Sequence, residues 1–151
     1  MITQHGIGSE AVQFHQKDLS RRRRKVLVVD DNDDVRQLVA KALELIGCDV
    51  IEAQHGLAAY ERFCLHGADL VVSDIEMPVL DGYGLVEMLN RISPQTPIVM
   101  ITGHSSHALE EDPVLSCASV RAVLYKPFPL KKLQQVAQAA MECGVSHGMT
   151  A

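Results

Sequence analysis

A chain of 151 residues, 47% of them apolar, is sized for one globular domain with a sizeable core. Its longest uninterrupted apolar runs, such as Val26 to Val29 and Ile98 to Ile101, hold four residues each, whereas a membrane-spanning helix needs roughly 20. No membrane span is therefore expected. The net charge of −5 divides unevenly, because residues 1–25 carry six basic and two acidic side chains and the remainder carries eight and seventeen. So acidic a body argues against nucleic-acid binding by the folded domain, since a phosphate backbone is met by clustered Lys and Arg.

Residues 1–24 lack sustained periodicity and end in the basic run Arg21 to Lys25, which reads as a basic, disordered leader. Only Val26 to Val29 separate that run from two aspartates, too short an apolar segment for a secretion signal. Cys48, Cys64, Cys117 and Cys143 are widely spaced with no CxxC pair, the usage of reduced thiols in the cytosol. A cytoplasmic protein is expected.

From residue 25 onward, short β-branched runs at 25–29, 49–53, 69–73, 97–101 and 121–125 alternate with helical patterns. Five βα units of this kind predict an α/β domain, a doubly wound parallel sheet covered on both faces. The domain spans 25–143 and a short tail, 144–151, follows. In the first helix Val35, Leu38, Val39, Ala42, Leu43 and Ile46 form one apolar stripe, with Asp33 or Asp34 as the cap and Gly47 as the stop. On the second helix Tyr60 and Phe63 are expected in or beside the core. Gly103 to Ser106 and the pair Asp112-Pro113 interrupt the segment between the fourth and fifth strands, predicting a short or irregular fourth helix. The last helix repeats the stripe with Leu130, Leu133, Val136, Ala137, Ala140 and Met141.

In an open parallel sheet, ligands bind in the crevice beyond the carboxyl ends of the strands. There stand Asp30-Asp31, Asp74-Ile75-Glu76, Thr102-Gly103-His104 and Tyr125-Lys126-Pro127. Three converging carboxylates repel one another by roughly 4 kcal/mol per pair at 4 Å and an effective dielectric near 20. A hard, oxygen-preferring cation such as Mg²⁺ answers that repulsion, there being no Cys or His cluster for a transition metal, and Lys126 adds a further positive charge. A carboxylate set between a cation and an ammonium is a competent nucleophile toward phosphorus. Asp74 stands alone on the central strand and suits that role. Asp30 and Asp31, an adjacent pair, suit metal holding, and Thr102 offers a hydrogen bond to phosphoryl oxygens.

At these residues the sequence resembles the receiver domains of bacterial response regulators. The resemblance is carried by Val26-Leu27-Val28-Val29-Asp30-Asp31, by Asp69-Leu70-Val71-Val72-Ser73-Asp74 with Met77-Pro78 and Asp81-Gly82, by Pro97-Ile98-Val99-Met100-Ile101-Thr102, and by Lys126-Pro127-Phe128. It implies a flavodoxin-like (βα)5 fold with strand order 2-1-3-4-5, a sensor histidine kinase as donor, and Asp74 as phosphoacceptor. It further implies Asp31 and Asp74 as direct Mg²⁺ ligands, the backbone carbonyl of Glu76 as a third, an indirect contact from Asp30, and a cis peptide between Lys126 and Pro127. Such a domain catalyses only its own phosphorylation and dephosphorylation and signals through an output partner.

Two positions depart from the family pattern. An aromatic residue usually stands three positions before the lysine, where this chain has Val123, its aromatic being Tyr125. The irregular stretch 103–119 also falls where such domains often build their output face. Glu76 and His104, each two residues past a site residue, stand at positions that in such domains shape water access to the acyl phosphate, and His104 with His107 reads as part of an exposed loop rather than as a metal site. Met77 and Pro78 read as a loop brace.

Three other functions compete. A phosphorelay carrier, or the receiver part of a hybrid kinase passing its phosphoryl group to a histidine phosphotransfer protein, would use the same residues. A Mg²⁺-dependent phosphatase of the haloacid dehalogenase kind needs an acid two residues after its nucleophile on the same strand, where this chain has Glu76, and a substrate cap that the sequence does not suggest. A flavodoxin-like flavin binder needs a Ser/Thr/Gly-rich phosphate loop where this chain has Asp30 to Asp34.

Overall fold

The computed structural model describes residues 22–103 and 113–150. His104, His107 and most of the leader lie outside these residues. The elements, in order, are β1 (Lys25–Val29), α1 (Asp33–Glu44), β2 (Asp49–Ala53), α2 (Gly56–His66), β3 (Leu70–Asp74), α3 (Gly82–Ile92), β4 (Ile98–Thr102), a 3₁₀ turn (Pro113–Ser116), β5 (Val120–Tyr125) and α4 (Leu130–Thr150). All strand pairs are parallel, and the sheet order is β2-β1-β3-β4-β5.

The alternation of the strands explains why helices cover both faces. Val26 and Val28 point to one side, where they pack with Val39 and Leu43 of α1 and Leu133 and Ala137 of α4. Leu27 and Val29 point to the other, against Ala59 and Phe63 of α2 and Leu85, Val86 and Leu89 of α3. With neither face open to water, the central strands β3 and β4 are buried along their whole length, as their continuous apolar runs require. Between β4 and β5 the described residues contain the 3₁₀ turn, and residues 104–112 of the expected irregular stretch lie outside the described residues.

Several local expectations need adjustment. The cap of α1 is Asn32, neither Asp33 nor Asp34: its side chain accepts from the N–H groups of Asp34 and Val35, and the two aspartates occupy the first turn, favourable for the helix dipole. Leu38 is 54% exposed, because the face of α1 turned inward carries Arg36, Val39, Ala40 and Leu43. The strands β3, β4 and β5 begin one residue away from the expected positions, and α4 continues past Cys143 to Thr150. Gly47, at φ +92°, ends the turn after α1 as expected. Tyr60 is half-buried and Phe63 buried. Cys48, Cys64 and Cys117 are free thiols.

The edge of the sheet where the chain enters β1 is tied down by the basic run. Arg23 Nε donates to the carbonyl of Gly47 (3.1 Å) and Lys25 Nζ to that of His66 (2.9 Å), so cations close the negative ends of α1 and α2. Arg24 and Met141 of α4 line one cavity at this same edge.

Candidate functional site

The opposite edge, at the carboxyl ends of the strands, gathers the acidic residues. Asp30 follows β1 directly and is 2% exposed; Asp74 is the last residue of β3 and is 6% exposed; Asp31, next to Asp30, is exposed. A carboxylate oxygen from each of the three lies within 4.8 Å of the others. Lys126, just past β5, sets its Nζ 3.4 Å from Asp74 Oδ2 and 3.7 Å from Asp30 Oδ2. Thr102, fully buried at the end of β4, accepts from the Lys126 N–H through its carbonyl (2.7 Å), which fixes where the lysine leaves the sheet. The Lys126–Pro127 peptide is cis. Among the described residues, the expected set of Asp30, Asp31, Asp74, Thr102 and Lys126 is thus brought to one edge.

Asp74 is held by its own backbone. The Ser73 hydroxyl donates to its carbonyl oxygen (2.9 Å), and the Glu76 N–H donates to its Oδ1 (3.3 Å). Gly82, the first residue of α3, presses on the same peptide: a Cβ there would meet the Asp74 carbonyl oxygen at 2.5 Å and Ile75 Cα at 2.8 Å. The Asp81 side chain caps α3 by accepting from the Gly84 N–H (2.9 Å). The Asp81-Gly82 pair therefore starts a helix while letting it approach the end of β3 at Asp74. Between them and Asp74, the loop turns at Val79, a β-branched residue at φ +71° and 81% exposed, where Leu80 N–H bonds back to the Pro78 carbonyl (2.8 Å) in a γ-turn. Met77 packs on the core, the bracing role expected of it, while Pro78 is exposed.

Burial raises the Asp30 carboxyl to about 6; the Asn32 N–H opposes the rise, and the charge of Asp74 adds to it. The donor set, all carboxylate oxygen with no thiolate or imidazole among the described residues, fits a hard divalent cation.

One residue at this edge escaped the sequence reading. Arg36, on the inward face of α1, donates to the Asp30 carbonyl, to Asp33 and to Glu52. Its signal was present but unremarked: an arginine three residues before Val39 and four before Ala40 sits on the core face of its helix. Val123, in place of an aromatic, is half-buried against the core, and Tyr125 is exposed at the end of β5.

This fold and this carboxylate edge define a receiver domain. The chain belongs to the response regulator receiver domain family, whose pattern it matches over residues 26–138. It is 36% identical over 110 residues to the response regulator receiver protein CpdR of Brucella abortus, covering 73% of this chain and 90% of that protein. It is also 36% identical over 111 residues to the autoinducer 1 sensor kinase/phosphatase LuxN of Vibrio campbellii, covering 74% of this chain but only 13% of LuxN. Among solved structures, the chemotaxis protein CheY4 of Vibrio cholerae is similar at a TM-score of 0.71 and 31% identity, over 78% of this chain and 98% of that one. NtrX of Brucella abortus gives a TM-score of 0.78 at 28% identity, over 85% of this chain and 29% of NtrX. No helix among the described residues is long and apolar enough to cross a membrane.

Proposed function

We propose that this receiver domain accepts a phosphoryl group on Asp74 from the phosphohistidine of a sensor histidine kinase and signals by changed binding to an output partner. The observation that carries the reading is the convergence of Asp30, Asp31 and Asp74 within 4.8 Å with the Lys126 ammonium 3.4 Å from Asp74. A carboxylate oxygen of Asp74 attacks phosphorus, the phosphorus–nitrogen bond breaks, and the imidazole nitrogen leaves with the bonding pair. Lys126 neutralises charge on the transferred group, and Thr102 donates a hydrogen bond to one of its oxygens. Asp31, Asp74 and the backbone carbonyl of Glu76 would hold a Mg²⁺ ion directly and Asp30 would contact it indirectly; the cation would offset negative charge at the site. The domain has no activity on other substrates and acts in the cytoplasm.

Incubation with Mg²⁺ and acetyl phosphate, followed by intact mass, should add one phosphoryl group to the wild type and none to Asp74→Asn, while Asp69→Asn remains competent. Labelling that survives Asp74→Asn would overturn the assignment. The matched identity to LuxN, a far longer sensor kinase/phosphatase, supports a second reading as a relay or hybrid-kinase receiver. Transfer of the label onward to a histidine phosphotransfer protein separates the two.

A further inference from the structure

We propose that Arg36 is a positioning residue for the cation site, holding the Asp30-Asp31 loop from behind so that the carboxylates stay convergent and free to bind. The proposal rests on the reading of the acidic edge as a Mg²⁺ site. Arg36 is 7% exposed, and its guanidinium makes three contacts on three parts of the chain. Nη1 donates to the carbonyl of Asp30 (2.9 Å), Nη2 to Oδ1 of Asp33 in the first turn of α1 (2.7 Å), and Nε to Oε1 of Glu52 near the end of β2 (3.1 Å).

What matters is which oxygens it leaves alone. A buried cation beside three carboxylates would ordinarily pair with one of them, as Lys126 does with Asp74 and Asp30. Arg36 instead takes a backbone carbonyl and two carboxylates outside the cluster. It thus occupies no carboxylate oxygen of the cluster that a metal would need.

The geometry also fixes Asp30 from both of its peptide groups. The Asp30 N–H donates to the carbonyl of Ala53 (3.2 Å), and the Asp30 C=O accepts from Arg36, which is itself anchored on Glu52 beside Ala53. The Asp30 carboxylate accepts from the Asn32 N–H (2.9 Å), closing the turn into α1. The edge strand β2, which contributes no carboxylate to the cluster, thereby sets the position of the loop that does. Only a planar fork serves these three acceptors at once, since a lysine ammonium is a compact point charge on a flexible stem.

The test is a Mg²⁺ titration of the full chain, followed by amide NMR shifts, in wild type, Arg36→Lys, Arg36→Met and Glu52→Gln, with urea denaturation in chelator alongside. Arg36→Lys keeps the charge but loses the fork, and it is expected to weaken Mg²⁺ binding about tenfold or more, as Arg36→Met does, because partners behind the ligands carry effects of that order. Glu52→Gln keeps the bond to the Asp30 carbonyl and should weaken binding less. Met141→Ala, in the core beside Arg24 at the opposite edge of the sheet, should lower stability with Mg²⁺ affinity unchanged, which separates positioning from general destabilisation. Should the Arg36 variants fail to fold, the pair Asp33→Asn with Glu52→Gln carries the test, with a loss of a few-fold expected. Wild-type affinity in Arg36→Lys, or in that pair, overturns the proposal. Absence of saturable Mg²⁺ binding in the wild type instead overturns the reading of the metal site, and this proposal with it.

Discussion

The ammonium of Lys126 lies 3.4 Å from Oδ2 of Asp74, so the lysine is already seated on that carboxylate before any cation binds. It also lies 3.7 Å from Asp30, and it therefore bridges the two most buried acids of the cluster. Removing it leaves both in place with less to balance them. Lys126→Ala should destabilise the chain by about 1–2 kcal/mol in chelator, the lysine being partly solvated. The loss should shrink when Mg²⁺ is added, as read from urea midpoints. An equal loss under both conditions would count against the view that the two cations answer the same repulsion.

Asp74→Asn removes one of three mutually repelling charges from a buried position. In chelator it should raise stability by about 1–2 kcal/mol, the pattern of a group kept for its chemistry at the expense of the fold. The same variant should bind Mg²⁺ more weakly. A variant less stable than wild type without metal would show that the backbone hold on Asp74 depends on its charge.

The raised carboxyl of Asp30 gives the site a pH dependence of defined sign. Its pKa is about 6 in the folded chain against 3.8 as the ordinary value, so the folded state binds the extra proton between those limits. The contribution to stability is fully present below pH 3.8 and is lost as pH rises through about 6. Metal-free protein should therefore lose stability across that window, and Asp30→Asn should flatten the profile. Mg²⁺ competes with the same proton, so its apparent affinity should fall by up to about tenfold per pH unit below the Asp30 pKa. A Mg²⁺ affinity constant from pH 7 to pH 5 would be inconsistent with this.

Two backbone positions in the loop after β3 should respond in opposite directions. Gly82→Ala drives a Cβ into the Asp74 carbonyl, and a loss of about 1–3 kcal/mol is expected, together with slower phosphoryl labelling because Asp74 shifts. Val79→Gly relieves a β-branched residue from φ +71°. Strain of about 1–3 kcal/mol set against the roughly 0.5–1 kcal/mol entropic penalty of glycine should leave a net gain of about 1 kcal/mol. Urea denaturation of the two variants decides both.

The sheet and the acceptor edge were legible because each strand announces itself as an apolar run and four of them end in a polar reactive residue. What the sequence concealed lies where a residue's type and its location disagree. Asp74 and Thr102 look like the first residues beyond their strands because they are polar, yet backbone bonds from Ile75 N–H to the Ile101 carbonyl and from Lys126 N–H to the Thr102 carbonyl keep both within the ladder. Leu38 completes an apolar stripe on paper, but α1 is rotated so that Arg36 and Ala40 face inward, and Leu38 meets water. The same inward face seats the Arg36 guanidinium on the Asp30 carbonyl, a polar contact that apolar periodicity does not register. Asn32 rather than either following aspartate is the cap, because the cap precedes the first helical turn that the two aspartates occupy.

The basic run and the far end of α4 give the molecule two poles. Arg23 and Lys25 fasten the incoming chain to the closing turns of α1 and α2, and α4 departs beside Arg24, all at the sheet edge remote from Asp74. The chain therefore enters the sheet at the edge opposite the carboxylate cluster. A change made at Asp74 reaches that edge only across the full length of the strands.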